Sequence, residues 1–228
     1  MKDKRPLIFL CTGMSLDGKL SNYKKEQIDI CTDDDKKFRE GYKIIADAVM
    51  VGGNTLLQDD PALTVKTKER QQKRIKLGKP PEPIKVGVIS NANNLTIRGD
   101  FFDRGNALKI IFTTAQTSKK KLDELKRKAQ VYVLGNKMVN LKRAMAILYK
   151  LGVKRLMVEG GGTLIFSLLK ENLVDEINLK IGNLIVGGKD SITFVEGQGF
   201  DKITAKGVRL IKVIKRPNYI ALKAKIIK

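Results

Sequence analysis

Short apolar runs, most of them ended by glycine or a small polar residue, recur along the first two thirds of the chain. Residues 7–12, 48–51, 84–89, 107–113, 131–134 and 155–158 are such runs, and each predicts a β-strand. Apolar residues spaced three and four apart predict amphipathic helices over residues 32–46, 118–128 and 140–151. Strands that alternate with helices in this way are typical of a mostly parallel sheet.

The C-terminal part follows a different pattern. Residues 174–181 alternate in part between apolar and polar, and residues 208–214 and 219–226 flank a turn at Arg216-Pro217-Asn218. This arrangement predicts an antiparallel pair of strands. We therefore expect one α/β domain over residues 1–228, with a mostly parallel central sheet and antiparallel C-terminal edge strands. Residues 66–76 are basic and poor in apolar side chains, which predicts an exposed loop, with a segment that clamps an anion as the alternative.

The segment from Leu156 to Ile165 carries the most informative local pattern. An apolar strand stops at Glu159, three glycines follow at 160–162, and a helical pattern begins at Thr163. Glycine permits positive φ angles and close approach of another molecule, and a helix N-terminus favours phosphate groups. Thr163 would cap this helix or bind a phosphate oxygen. A tight turn without a ligand explains the glycines equally well, since their spacing is not that of the G-x-G-x-x-G fingerprint.

Two other strands also deliver polar, glycine-containing loops. Ser15 and Asp17 follow the first strand, and the loop from Gly52 to Asp60 follows the second. Ligands bind at the carboxyl ends of the strands in open α/β sheets, so both loops are candidate site segments. Thr55 and Asp59 are four positions apart and share one face if their loop is helical. For Asp17, a plain turn with the following glycine is the alternative.

The composition restricts the chemistry that the chain can perform. The 228 residues include no histidine, which excludes histidine-based triads and histidine-ligated zinc, and we expect no metal site. Cys11 and Cys31 are the only cysteines, and we expect no disulfide between them inside a cell. No apolar run reaches the length of about 20 residues that a membrane helix needs. The N-terminus also lacks the pattern of a signal peptide, so we expect a cytoplasmic protein.

The formal net charge of +21 indicates an anionic ligand: nucleic acid, a phosphorylated metabolite or a dinucleotide. A lysine-rich surface without any such ligand would give the same charge. A basic RNA-binding protein is therefore one alternative function. Aromatic residues make up only 6% of the chain and tryptophan is absent, so there are few candidates for stacking on bases, and no nucleic acid is expected.

Four motifs, in this order and spacing, carry a resemblance to a known family. They are Gly13–Lys19, Val51–Val65, Val158–Leu164, and the segment from Leu173 to Glu176 with Ile185–Gly188. Together they resemble the riboflavin-pathway reductases, in particular the stand-alone archaeal and fungal type. The resemblance implies a single-domain, three-layer fold like that of dihydrofolate reductase, with NADPH as hydride donor and a homodimer. A dihydrofolate or pterin reductase is the alternative enzyme.

The resemblance also implies the reaction. The family reduces the ribosylamino group of a small phosphorylated pyrimidine to a ribitylamino group, and either the diaminopyrimidinone or the deaminated aminouracil fits. In bacteria a similar domain is fused to a zinc deaminase, which needs a histidine and a C-x-x-C pair. The sequence contains neither feature, so we expect a chain with the reductase activity alone.

The same resemblance assigns individual site residues. Substrate contacts fall at Lys43, Leu63, Lys66 and Glu159, with Lys43 placed to hold the substrate phosphate. Cofactor contacts fall at Thr55, Asp59, Val88, Ile89, Ser90, Asn91, Leu134, Gly160, Gly161, Gly162 and Thr163. Asp17 and Glu159 are the catalytic candidates, because a carboxylate can stabilise the iminium cation that accepts hydride or assist opening of the sugar ring.

Overall fold

A computed structural model describes residues 4–26, 28, 30 and 33–227, without the side chains of residues 33–37. The strands are β1 Leu7–Met14, β2 Ala48–Gly52, β3 Ile84–Val88, β4 Lys109–Thr113, β5 Gln130–Val133, β6 Arg155–Gly160, β7 Glu176–Gly182, β8 Val208–Arg216 and β9 Tyr219–Ile226. The helices are α1 Asp33–Ile45, α2 Gly53–Gln58, α3 Lys68–Lys76, α4 Asp100–Asp103, α5 Lys119–Lys126, α6 Leu141–Lys150 and α7 Gly162–Lys170. The predicted start of α1 at Thr32 and the state of Cys31 lie outside the described residues.

The chain divides into two compact units, each made from two segments. One contains the residues up to Leu7 and Glu40–Met157, and the other contains Ile8–Arg39 and the residues from Val158 onward. In the first unit the strand order is β5-β4-β3-β2-β6, and β2, β3, β4 and β5 pair in parallel. The order in the second is β6-β1-β7-β9-β8, where β1 and β7 are parallel and β9 is antiparallel to both of its neighbours. The predicted mostly parallel sheet with antiparallel C-terminal strands is confirmed.

Most of the apolar runs become buried strands, whereas β5, at the edge of the sheet, has no buried residue. In the first unit all five residues of β2 are buried, and Ile110, Ile111 and Phe112 of β4 are fully buried. In α6 the apolar stripe faces inward, with Met145 and Leu148 completely buried. Such burial stabilises each large side chain by about 1.5–3 kcal/mol relative to exposure. In the second unit α7 buries a nearly continuous apolar surface that includes Ile165 and Leu168.

Residues 68–76 form helix α3, so the expectation of a loop is wrong, although most of these residues are exposed as expected. The Thr67 hydroxyl accepts a hydrogen bond from the Arg70 N–H at 3.3 Å and caps the helix. Arg74 is fully buried, and its guanidinium donates to the carbonyls of Ala46 at 2.6 Å and Pro80 at 2.9 Å, and to that of Lys43. The carbonyls of Lys43 and Ala46 lie at the end of α1, where they lack helical partners, so a basic residue is stable inside the fold.

Across the described parts of the chain, no helix is both long enough and apolar enough to span a membrane.

Candidate active site

In the first unit, the carboxyl ends of β3, β4 and β5 are joined by hydrogen bonds. The carbonyl of Ser90 accepts from the hydroxyl of Thr114 at 2.7 Å and from that of Thr113 at 3.3 Å. The N–H of Leu134 donates to the carbonyl of Thr113 at 2.7 Å. Two predicted cofactor residues, Ser90 and Leu134, therefore lie at the same edge of the parallel strands, where open α/β sheets bind ligands.

The start of α2 packs closely on the loop that follows β3. A Cβ atom added to Gly53 would lie 2.9 Å from Cγ1 of Ile89, so the glycine permits this approach. Ile89 is buried, Val88 is half-buried and Asn91 is exposed. The side-chain oxygen of Asn91 accepts the N–H of Asn93 at 3.0 Å, which shapes the loop. These predicted cofactor residues therefore act mainly by setting the backbone conformation of the loop at this edge of the sheet.

Helix α2 carries the other cofactor candidates of the first unit. The N–H of Asp59 donates to the carbonyl of Thr55 at 3.0 Å, so the predicted helical relationship of the two residues is confirmed. Thr55 is half-buried and Asp59 is exposed. The neighbouring Asp60, which the sequence analysis did not select, accepts the N–H groups of Asp100 at 2.6 Å and Phe101 at 3.0 Å. Asp60 therefore binds the first N–H groups of α4, whose N-cap is Gly99, and fixes the loop after α2.

The predicted substrate residues of the first unit surround a carboxylate that sequence reasoning missed. Lys43 is buried, and its Nζ lies 3.1 Å from Oε1 of Glu40 and donates to the Thr64 carbonyl at 3.5 Å. Oε2 of Glu40 accepts the backbone N–H of Lys66 at 3.0 Å. Leu63 is buried with a φ of +50°, whereas the Lys66 side chain is exposed. Of the two lysines, Lys66 is therefore the one placed at the surface.

In the second unit, Asp17 is an exposed carboxylate that accepts hydrogen bonds from three donors. It accepts from the Ser15 hydroxyl at 2.6 Å and from the N–H groups of Val186 at 3.0 Å and Gly187 at 2.7 Å. The Ser15 hydroxyl and these two backbone donors lower the pKa of Asp17 from 3.8 to about 2. Asp17 is thus ionised at neutral pH, where it can accept hydrogen bonds or face a cation but cannot donate a proton.

Glu159 lies at the end of β6, directly before the glycines. Its side chain is only 8% exposed, and its Oε2 lies 4.0 Å from Nη1 of Arg39, which the sequence analysis did not select. Glu159 therefore suits the stabilisation of positive charge on a bound molecule.

The three glycines have different structural roles. Gly160 has a φ of +138°, which favours glycine, and the peptide bond between Gly160 and Gly161 is cis. Gly161 is the N-cap of α7, so the prediction that Thr163 caps this helix is wrong. A Cβ atom on Gly162 would overlap the carbonyl oxygen of Thr193 and lie 2.9 Å from Cβ of Glu196. Gly162 is therefore required by packing within the chain.

Backbone hydrogen bonds connect these elements of the second unit. The N–H of Leu16 donates to the carbonyl of Leu184 at 2.8 Å, and that of Phe194 donates to Gly18 at 3.0 Å. The N–H of Glu196 donates to the Gly162 carbonyl at 3.2 Å. The segment 184–196 thus brings the loop of Asp17 and the glycine turn together. It also brings Glu196 to Thr163, whose hydroxyl donates to the Glu196 carboxylate at 3.1 Å.

The N-terminus of α7 fits the pyrophosphate of a dinucleotide. The helix has no side-chain cap and no acidic residue in its first turn, so its first N–H groups are not used by a cap. Such groups bind phosphate oxygens, and the helix dipole favours the negative charge. The Glu196 carboxylate would have to release the Thr163 hydroxyl before that hydroxyl could donate to a phosphate.

Comparison with known proteins identifies the family. A model of the RibD C-terminal domain matches residues 6–221. This chain belongs to the RibD C-terminal domain family. The 2,5-diamino-6-ribosylamino-4(3H)-pyrimidinone 5′-phosphate reductase of Archaeoglobus fulgidus is 41% identical over 199 residues, which cover 87% of this chain and 90% of that protein. The expected membership among the riboflavin-pathway reductases is confirmed.

Solved structures agree with this assignment at the level of the fold. A pyrimidine reductase-like protein from Corynebacterium diphtheriae has a TM-score of 0.83 at 21% identity, over 98% of this chain and 92% of that one. A dihydrofolate reductase from Enterococcus faecalis, solved with NADP(H), has a TM-score of 0.51 at 9% identity, over 98% and 97% of the two chains. The predicted fold like that of dihydrofolate reductase is confirmed.

Proposed function

We propose that this chain reduces the ribosylamino side chain of a diaminopyrimidinone 5′-phosphate to the ribitylamino form in riboflavin biosynthesis, with NADPH as hydride donor. The observation that carries the proposal is the 41% identity to the 2,5-diamino-6-ribosylamino-4(3H)-pyrimidinone 5′-phosphate reductase of Archaeoglobus fulgidus. The similarity extends over 87% of this chain. Membership of the RibD C-terminal domain family, whose model matches residues 6–221, also supports a reductase.

When bound, NADPH supplies a hydride to C1 of the ring-opened sugar. In this proposal the cofactor contacts of the first unit are Thr55, Asp59, the loop 88–91 and Leu134. The pyrophosphate contacts are Gly160, Gly161, Gly162 and Thr163. The net charge of +21 favours NADPH over NADH, because the additional 2′-phosphate is multiply charged. A direct comparison of the KM values for the two cofactors tests this preference.

The two carboxylates have different tasks in the proposed reaction. Glu159, with 8% of its side chain exposed, stabilises the iminium nitrogen that forms when the sugar ring opens. Asp17, with a pKa of about 2, acts as an ionised acceptor that orients the loop 186–187 beside the reacting group. On the substrate side, Leu63 contributes apolar contact and Lys66 supplies positive charge for the phosphate. Lys43, which the resemblance assigns to the phosphate, is buried and pairs with Glu40 instead.

The experiment that tests the function is a turnover assay with purified chain. Loss of NADPH absorbance should require the diaminopyrimidinone 5′-phosphate, and the product should be its ribitylamino form by mass spectrometry. The deaminated aminouracil phosphate and dihydrofolate are the comparison substrates. Turnover of dihydrofolate in place of either pyrimidine would contradict the proposal and favour the pterin reductase.

A homodimer is part of the proposal, and the surface of β8 supports it. Leu210 and Val213 are 60% and 56% exposed, and their register with β9 places them on the same face as Ile220, which is 37% exposed. Large exposed apolar side chains on an edge strand mark a surface that another chain covers. A second copy of this chain is the proposed partner.

A cytoplasmic location and the absence of a nucleic-acid partner remain expectations from the sequence. Cell fractionation tests the location. A titration of RNA binding against salt concentration tests the second expectation, because binding driven by the positive charge alone weakens steeply as salt rises.

A further inference from the structure

Glu40 is a buried carboxylate to which the proposed reaction gives no role. Its side chain is 4% exposed, and its two oxygens contact different groups. Oε1 lies 3.1 Å from Nζ of Lys43, while Oε2 accepts the backbone N–H of Lys66 at 3.0 Å and lies 4.0 Å from Nη1 of Arg70. A carboxylate on α1 therefore fixes a segment that lies more than twenty residues further along the chain.

The cluster around Glu40 contains more positive than negative charge. One carboxylate faces the side chains of Lys43 and Arg70, and Lys66 adds a further cation from a backbone position that Glu40 fixes. Lys43 is 8% exposed, so its charge is used to compensate Glu40 inside the fold. Arg70 has 24% of its side chain exposed, and Lys66 is exposed as well. The uncompensated positive charge therefore lies at the surface.

The segment that carries these two cations is held in place by its own hydrogen bonds. The Thr67 hydroxyl caps α3 by accepting from the N–H of Arg70, and the amide of Gln71 donates to the Val65 carbonyl at 3.1 Å. The distance of 4.0 Å from Arg70 to Glu40 is that of an ion pair and exceeds a hydrogen bond. The guanidinium thus retains N–H donors for another oxygen acceptor.

We infer that Arg70 binds the 5′-phosphate of the substrate together with Lys66, and that Glu40 is the positioning residue that orients both. The inference rests on the proposed function, since it takes the substrate to be a phosphate monoester. Arginine suits this ligand because its planar guanidinium donates two hydrogen bonds to one phosphate group. Glu40 acts through Arg70 and through the backbone of Lys66, and it does not touch the substrate.

The test compares Arg70→Ala, Glu40→Gln and the double variant in steady-state kinetics. Each single change should raise the KM for the phosphorylated substrate about tenfold, while kcat and the KM for NADPH stay within about twofold. The double variant should resemble the single ones, because both remove the same interaction. With the dephosphorylated substrate all of these differences should disappear. Arg70→Lys should recover part of the affinity.

Glu69→Gln is the matched control. Like Glu40→Gln, it removes one negative charge near Arg70, but from helix α3, where the Glu69 side chain is 74% exposed and pairs with Lys73 at 2.5 Å. The backbone N–H of Lys66 stays bound to Glu40 in this variant. Its KM should equal that of the wild type. An equal effect of Glu69→Gln would show that net charge alone acts and would overturn the inference. A fall in KM for Glu40→Gln would also overturn it, because Glu40 would then compete with the phosphate for the cations.

A binding measurement separates this inference from the proposed function. Ribose 5-phosphate, titrated by calorimetry, should bind the wild type about tenfold more tightly than Arg70→Ala or Glu40→Gln. If this difference is found while the wild type does not reduce the pyrimidine, the proposed reaction fails and the phosphate site stands. If Glu40→Gln does not fold, Arg70→Ala decides the question, and unchanged affinity in that variant overturns the inference.

Discussion

The carboxylate of Asp17 accepts the backbone N–H of Gly187 at 2.7 Å, although the two residues are 170 positions apart in the chain. The same carboxylate accepts the N–H of Val186 and the hydroxyl of Ser15. The loop after β1 and the loop after β7 are thus joined through one side chain. This connection makes Asp17 a structural element of the proposed site and explains why its carboxyl group is strongly acidic.

We expect Asp17→Asn to show the pH dependence of this arrangement. The pKa of Asp17 is about 2 in the folded protein and 3.8 without these contacts, so the unfolded state binds more protons between these values. The stabilisation by the carboxylate is complete above pH 3.8 and is lost as the pH falls toward about 2. Urea unfolding of the wild type and of Asp17→Asn across this pH range measures the stabilisation. A difference between them that stays constant at all pH values would contradict the assignment.

The glycine turn allows two neighbouring substitutions to be distinguished. Gly161 has a φ of −74° and a ψ of 177°, a conformation that valine also adopts, so Gly161→Val should fold but bind NADPH more weakly. Gly162→Ala should instead destabilise the protein by about 1–3 kcal/mol, because its Cβ meets the Thr193 carbonyl. Thermal unfolding and NADPH titration of both variants check this. Unchanged NADPH affinity in Gly161→Val would mean that the turn has only a structural role.

Lys43 and Lys66 should differ in what their removal changes. Lys43→Ala leaves the buried carboxylate of Glu40 without its nearest cation, and we expect a loss of about 3–5 kcal/mol in the free energy of unfolding. Lys66→Ala removes an exposed side chain and should change stability by less than about 0.5 kcal/mol. Its KM for the phosphorylated substrate should nevertheless rise about tenfold. Chemical denaturation together with kinetics separates the two outcomes. Equal stability of both variants would refute the structural role of Lys43.

Leu210→Lys tests the proposed dimer. The side chain is 60% exposed in one chain, so the substitution should leave the fold of the protomer intact while placing a charge in the apolar face of β8. Light scattering should then show a monomer where the wild type forms a dimer. Lys212→Ala, on the opposite face of the same strand, is the control and should remain dimeric. A dimer of unchanged stability in Leu210→Lys would place the interface elsewhere.

The sequence by itself determined the elements and the family. Runs of apolar residues predict strands because a buried strand needs apolar side chains on both faces, and every strand predicted from such a run is present. The sequence also predicted the cap of α6 at Asn140. In the structure its side chain accepts the Arg143 N–H, three residues later, at 3.0 Å. The four motifs keep their order along the chain, so the family was recognisable without coordinates.

Only the tertiary structure decided how the charged residues are used. Arg74 belongs to a basic run that predicts exposure, yet it is buried against carbonyls at the end of α1. Glu40 and Lys43 read as two polar residues of a helix, whereas the fold buries them as an ion pair beside the segment that follows Leu63. Local patterns report how polar a position is. The partner of a charge comes from a distant segment, and the folded chain alone brings the two together.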